Sequence, residues 1–424
     1  MMRTKRLTHW FRFLALGIIL AMVMASCAVP TAKPGIGTSD GNRATSPACG
    51  SAGPLVEAPN PALDSLKPLV RGFAQREEIP GGVLLLVHRG KIVFWEAFGY
   101  ADPDDKKPFK KDTVVFLAST TKPIAATAIM TLVDEGILAL DDPVSRYLPE
   151  FKTLLLEDGS TTTAPTIRQL LSHTSGWSGN QEMSSDGTDA CRDVSLTMKE
   201  SAALIAGDKL LARPGQRFSY GPLSFQVAGR AAEVSSGKSF DQLIQQKVFL
   251  PLGMTDTTFR PTPEQGERVA GIFRQTPWGG LLNLFRYDFD QEIRLPRVAA
   301  GLYSTARDVA VFLQMNLNKG TYGGCRVLSA DSVAEMQKHQ IGDAEIGNTP
   351  GNVNSYGLGW IRKDRSDSET TTRVSHGGLF GTVGWIDPER ELVGVLFTPM
   401  PLKQARTIHE KIRARVRELI PVTN

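Results

Sequence analysis

A serine and a lysine stand one helical turn apart in the stretch ASTTKPIAA, Ala118 to Ala126. A primary hydroxyl becomes a useful nucleophile only when a base takes its proton, and an amine three residues further along a helix is within reach. Spacing alone does not single this pair out, because Ser235 and Lys238 repeat it in SSGK. What separates the copies is the helix end each occupies. Ile124, Ala125, Ala128, Ile129, Leu132 and Val133 recur at helical spacing, so a helix is predicted to begin at Ser119, with Pro123 in its first turn and a stop near Gly136. Unpaired N–H groups and the positive end of the dipole favour a developing anion there. Ser235 instead ends the helical stretch FQVAGRAAEV before Gly237, where the dipole has the wrong sign for an oxyanion. Keeping Lys122 neutral at pH 7 against a reference pKa near 10.4 costs about 4 to 5 kcal/mol unless burial or another cation offsets it. One lysine therefore argues for a partner. The plain alternative is that Ser119 caps a helix and Lys122 is an exposed helical residue.

The elements that must hold these residues come from both ends of the chain. Asp64 to Arg76 reads as a first helix, with Pro68 tolerated in or beside its first turn. GVLLLVHRGKIVFWEAFGYAD reads as two apolar strands joined at Arg89-Gly90. The middle reads as mainly helical, with loops at GDKLLARPGQ and PLGMTDT. Strand patterns return in YGLGWIRK, TTTRVSHGG, GTVGWIDP and ELVGVLFTP, and KQARTIHEKIRARVREL closes the chain as a helix. The expected fold class is α/β (α+β): a sheet built from both chain ends, about 61–135 and 300–424, with an inserted mainly helical region at about 136–299. A cleft between the two regions is the expected place for a site.

Before this domain, residues 1–26 carry Arg3, Lys5, Arg6 and Arg12, no acid, and the apolar run FLALGIILAMVMA. These are the charged and apolar parts of a secretory leader, too short to span a bilayer comfortably. Removing its four cations from the 48 in the chain leaves 44 against 44 acids, so the mature chain has no formal net charge and nothing suggests nucleic-acid binding. The leader ends in Met24-Ala25-Ser26-Cys27, which resembles a bacterial lipobox with Met in place of the more usual Leu. The resemblance implies lipid modification and membrane anchoring at Cys27; ordinary cleavage after Cys27 is the alternative, and both imply export. Residues 27–60, rich in Pro, Gly, Ser, Thr and Ala, read as a flexible tether, and 61–424 as the folded domain. Cys49, Cys191 and Cys325 are an odd number, so at most one intramolecular pair forms.

Four further segments stand in order around ASTTK: ALDDPVSRYLPEF, LLSHTSGW, PGQRFSYGPLSFQVAG and SHGGLFGTVGW. Together they resemble the serine β-lactamase and penicillin-recognising family, in the branch shared by class C enzymes and family VIII carboxylesterases, over about residues 64 to 415, and the resemblance implies an antiparallel sheet flanked by helices with a helical domain beside it, in agreement with the layout above. The resemblance implies that Ser119 is the nucleophile, Lys122 its hydrogen-bonded neighbour, and Tyr220 the tyrosine of a Tyr-x-Asn element that helps move protons. His376-Gly377-Gly378 takes the place of the Lys-Thr-Gly strand motif, with the N–H groups of Leu379 and Ser119 forming an oxyanion hole. His173 reads as a structural loop-to-helix histidine. The sequence contains no His-x-His-x-Asp-His cluster, Cys-x-x-Cys pair or Walker loop, so neither a metal nor a nucleotide cofactor is expected.

Two departures bear on the substrate. Pro222 stands where the family has Asn, and His376, mostly neutral at pH 7, stands where it has the lysine that helps hold a β-lactam carboxylate. The reading is therefore a serine hydrolase acting on a small-molecule ester, with amide hydrolysis, β-lactamase and D-amino-peptidase activity as enzymatic alternatives. A non-turnover penicillin-binding or sensor module is the alternative of another class.

Overall fold

The computed structural model describes residues 55–179, 189–347, 349, 353–363 and 373–422. The expected leader, Cys27, Cys49 and most of the expected tether lie outside these residues.

Gly81–His88 and Lys91–Asp102 form the expected hairpin. Arg89 and Gly90 both have positive φ, 51° and 74°, the two-residue geometry whose twist matches that of the flanking strands. The hairpin becomes the heart of an eight-stranded sheet because Leu392–Phe397 pairs antiparallel with Gly81–His88, from Leu392 opposite His88 to Phe397 opposite Val83. Thr382–Asp387, Val374–Gly377 and the short Ile361–Arg362 continue the sheet on that side, while Val56–Glu57 runs parallel to Lys91–Asp102 on the other. The two ends of the domain thus meet in one sheet, as the strand patterns suggested.

Alternation along the strands divides the core. Leu84, Leu86 and Leu396 face the helices Leu66–Gln75 and Leu402–Leu419, packing with Val70, Phe73, Ile408 and Ile412. Val83, Leu85, Val87, Val393 and Val395 face the other way, toward Thr121–Asp134 and Ala306–Leu317. Each such side chain, fully buried, contributes about 1.5 to 3 kcal/mol. The first helix begins at Leu66 rather than Asp64, since Pro61–Leu63 forms a separate 3₁₀ turn capped by Asn60.

Thr121–Asp134 is buried on all sides from Thr121 to Leu132 rather than along one stripe. It runs through the middle of the larger core, and two of its hydroxyls are satisfied within the helix: Thr127 donates to the Pro123 carbonyl and Thr131 to that of Ala128. Gly136, at φ 68°, follows the helix end as expected. The middle of the chain contains helices, including Met198–Ala206 and Leu223–Ser236, and also two hairpins, Thr153–Leu155 with Thr161–Thr163 and Ile272–Gln275 with Leu281–Phe285. Cys325 is disulfide-bonded, whereas Cys191 is a free, buried thiol.

Candidate active site

Ser119 lies in a 3₁₀ turn, Ala118–Thr120, that leads directly into Thr121–Asp134. Three hydrogen bonds fix this turn to the rest of the fold. The Leu117 N–H donates to the Leu302 carbonyl at 2.8 Å, the Thr382 hydroxyl donates to the Leu117 carbonyl at 2.7 Å, and the Leu302 N–H donates to the Thr121 hydroxyl at 3.2 Å. Ala118 adopts φ 47°, a conformation that costs a residue with a Cβ about 1 to 2 kcal/mol and that turns the Ser119 side chain into a cavity. Beside the turn, a Cβ on Gly378 would stand 2.2 Å from the Leu117 carbonyl oxygen and 2.3 Å from the Thr382 hydroxyl. Only glycine permits this approach, and the next residue, Leu379, lines the cavity together with Ser119. Among the described residues the N–H groups of Ser119 and Leu379 have no backbone acceptor.

Lys122 is 2% exposed, and its Nζ lies 3.2 Å from Ser119 Oγ and 2.9 Å from the Ala299 carbonyl oxygen. Burial draws its pKa from 10.5 down to about 7; the Cys191 thiol opposes this and the Arg297 guanidinium adds to it. The amine is thus poised between forms at neutral pH. When protonated it donates to Oγ, and when neutral it can take the serine proton. Pro222, which offers no side-chain acceptor, lines the same cavity, and the Ala299 carbonyl supplies the acceptor for the amine.

Tyr220 precedes the helix Leu223–Ser236 and turns its ring to Lys122, whose Nζ lies 4.6 Å from the ring centroid. Burial raises the pKa of its phenol, and the nearby Ser119 hydroxyl works the other way. Behind Tyr220 stands a packed group of rings. His173 lies 4.6 Å from Tyr220 and 5.1 Å from both Tyr356 and Phe225, and His376 lies 6.1 Å from Tyr220. Among the described residues neither nitrogen of His173 has a hydrogen-bond partner, and burial keeps its pKa well below the usual value, so it is a neutral packing element at φ 58°.

His376 sits in Val374–Gly377 opposite Gly384, on the face directed into the protein, and is 1% exposed. Its Nε2 lies 3.1 Å from the Tyr356 hydroxyl and its Nδ1 3.1 Å from the Gly377 carbonyl. Burial first, and then the charge of Lys122, push its pKa down to about 3. The structure therefore places His376 behind Tyr220 and not on the cavity wall, whereas Leu379 and Phe380 do line the cavity. At the other Ser-x-x-Lys, the Ser235 hydroxyl donates to the Ala232 carbonyl and Lys238 donates to Gln246, so that pair forms no site.

The cavity holds about 600 Å³. Its walls are largely apolar, with Phe116, Phe259, Ile272, Phe285, Leu295 and Phe380 around the Ser119, Lys122 and Tyr220 cluster. Such a space suits a compact organic substrate with an apolar part. In chemical terms the arrangement offers a hydroxyl beside an amine of near-neutral pKa, a phenol that can relay a proton, and, on two residues that line the same cavity, backbone N–H groups with no backbone acceptor among the described residues.

The sequence profile of the Beta-lactamase family matches residues 66–413. The chain belongs to this family. It is 31% identical over 299 residues to an uncharacterised protein of Mycobacterium tuberculosis, spanning 67% of this chain and 73% of that one. It is 27% identical over 344 residues to the D-alanyl-D-alanine-carboxypeptidase/endopeptidase AmpH of Escherichia coli, spanning 80% and 84%. Among solved structures, EstCE1, a hydrolase with promiscuous acyltransferase activity, superposes with a TM-score of 0.68 at 24% identity, covering 83% of this chain and 96% of that one. A penicillin-binding protein homologue from Caulobacter crescentus gives 0.66 at 22%, covering 82% and 94%. The likenesses to solved structures show the β-lactamase and transpeptidase-like fold, and the family the chain belongs to is one of β-lactamase- and penicillin-binding-protein-like serine hydrolases.

Three contributors to the site carry no signal in the sequence. The Ala299 carbonyl is invisible to any motif because it is backbone. Tyr356 lies in YGLGW, which reads simply as a strand. Arg297 stands alone between apolar residues in LPRVAAG, and only the fold brings it beside Lys122.

Proposed function

We propose that this chain is an exported serine hydrolase that cleaves an ester, or an amide, through an acyl-enzyme on Ser119. The observation that carries the reading is the 3.2 Å contact between Ser119 Oγ and an amine whose pKa has fallen to about 7. Neutral Lys122, with Tyr220, takes the proton as Oγ attacks the carbonyl carbon. The N–H groups of Ser119 and Leu379 receive the oxyanion, and one such donor is worth about 3 to 4 kcal/mol in the transition state. The proton then passes to the leaving alcohol or amine as its bond to the acyl carbon breaks. Water, activated by the same pair, attacks the acyl-enzyme, and the acid and free Ser119 are regenerated.

An ester is favoured over a β-lactam because His376, withdrawn behind Tyr220, places no cation on the strand side, and Pro222 offers no side-chain amide. A missing charge-assisted contact is worth roughly 1.5 to 3 kcal/mol, so two together lower kcat/KM by two to four orders of magnitude. The test is steady-state hydrolysis of p-nitrophenyl butyrate against nitrocefin by the purified soluble domain. The expected outcome is continuous turnover of the ester and slow or absent turnover of the lactam; comparable kcat/KM would contradict the ester preference, and a burst of one equivalent without turnover would favour a sensor.

The leader and lipobox-like MASC support export and anchoring through a lipid on Cys27. Replacing Cys27 with Ser is expected to release the protein from the membrane fraction; identical partitioning, with no radiolabelled palmitate in either form, points to ordinary leader cleavage.

A further inference from the structure

Three cationic side chains, Lys122, Arg192 and Arg297, line the candidate cavity, and among the described residues no carboxylate does. Two of the three are accounted for. Lys122 is held by Ser119 and Ala299, and Arg192 pairs with Asp189 at 3.5 Å. Arg297 has no ion-pair partner among the described residues. Its Nε donates to the Cys191 carbonyl at 3.2 Å, and its guanidinium carbon lies 5.9 Å from the centroid of Phe116. That leaves its terminal nitrogens without an intramolecular acceptor among the described residues. Burial first, and then the charge of Arg192, lower the pKa of this guanidinium, while Tyr303, Cys191 and the more distant Asp189 carboxylate, already paired with Arg192, oppose. Keeping a cation partly out of water with no carboxylate in direct contact is expensive, and the same cation favours the neutral form of the nearby Lys122 amine.

We propose that Arg297 is an anion receptor within the substrate cavity: it pairs with a carboxylate carried by the substrate along the wall formed by Phe116, Cys191 and Tyr303. The proposal rests on the hydrolase reading above and narrows it to an acidic ester or amide. A guanidinium presents two parallel N–H donors that match the two oxygens of a carboxylate, which a point-charge ammonium does not. Phe116 and the Cys191 carbonyl fix the plane and direction of this fork before the substrate arrives, so little side-chain freedom is lost on pairing. The position differs from that of the strand motif, where His376 leaves no cation. Arg297 instead lies two residues before Ala299, the residue that holds the Lys122 amine. One short segment therefore orients the proton acceptor with a carbonyl and the substrate with a cation.

The experiment compares acidic and neutral ligands of similar size in the wild type, Arg297→Gln and Arg297→Lys, each checked for folding by thermal melting. Mono-p-nitrophenyl glutarate against p-nitrophenyl valerate places the carboxylate on the acyl side; 4-acetoxybenzoate against phenyl acetate places it on the leaving group. The acid-to-neutral ratio of kcat/KM is expected to fall roughly ten- to hundredfold in Arg297→Gln on one of these arms, with Arg297→Lys intermediate. A ratio unchanged on both arms overturns the proposal. Calorimetric binding of 3-carboxyphenylboronic acid against phenylboronic acid gives a readout independent of turnover. If the wild type binds the carboxylated boronate no more tightly, the receptor role fails whatever the variants do. If no ester is turned over yet the boronate preference exists and falls in Arg297→Gln, the hydrolase reading fails and the anion receptor stands.

Discussion

Lys122 Nζ reaches Ser119 Oγ at 3.2 Å while the Ala299 carbonyl holds it from the other side at 2.9 Å. The amine is therefore fixed by a backbone oxygen and needs no amide from position 222. Its burial, with Arg297 nearby, brings its pKa to about 7. These facts set the pH dependence of the reaction.

Neutral Lys122 is the competent form, so kcat/KM for a neutral ester is expected to rise about tenfold per pH unit below pH 7 and to level off above it. His376, with its pKa near 3, and His173, held well below its usual value, stay neutral through this range and do not contribute to the limb. The sign for stability follows from the same shift. The unfolded lysine binds a proton that the folded one has lost between about pH 7 and 10.5, so unfolding free energy rises with pH across that window. A pH–rate profile flat between 5.5 and 8 would remove Lys122 as the base.

Tyr220 and Lys122 act on one proton, and their effects should not add. Tyr220→Phe or Lys122→Ala is expected to lower kcat by at least about a hundredfold, and the double variant by far less than the product of the two. The check is a double-mutant cycle on kcat with thermal melting of each variant; full additivity would separate their roles.

Neighbouring glycines should respond differently. Gly378→Ala forces a Cβ within 2.2 Å of the Leu117 carbonyl and 2.3 Å of the Thr382 hydroxyl, both fixed, so a destabilisation of about 2 kcal/mol or more is expected. A Cβ on Gly377 meets nothing closer than 3.5 Å, so Gly377→Ala is expected to stay within about 1 kcal/mol of the wild type. Urea denaturation measures both; equal stability of the two variants would contradict the packing described at the Leu117–Ala118 turn.

Much of this arrangement is legible in the sequence because it is local. The Arg89-Gly90 turn, the apolar hairpin strands and the stop at Gly237 each depend on a few consecutive residues, and the structure forms each of them, while the helix expected from Ser119 begins at Thr121 after the 3₁₀ turn that holds the serine. What the sequence conceals depends on distant packing. The strand containing His376 is plain, but which face it buries is decided by its pairing with Thr382–Asp387 and by Tyr356. The hairpin Ile272–Gln275 with Leu281–Phe285 lacks strict alternation, because Leu281, Leu282, Leu284 and Phe285 are all apolar and several remain exposed, so it does not stand out within a helical region. Arg297 carries no signal of its own. It becomes a cavity residue only when the Leu302 carbonyl and N–H, five positions later, dock against Leu117 and Thr121.

The central claim is that Ser119 carries the acyl group, and intact-protein mass spectrometry after reaction with a fluorophosphonate, with the modified peptide then sequenced, tests it most directly. The expected result is one added phosphonyl group on Ser119, loss of ester hydrolysis in step with labelling, and no label or activity in Ser119→Ala, while Ser235→Ala labels like the wild type. A label that persists in Ser119→Ala, or that maps to another residue in the wild type, would contradict the account.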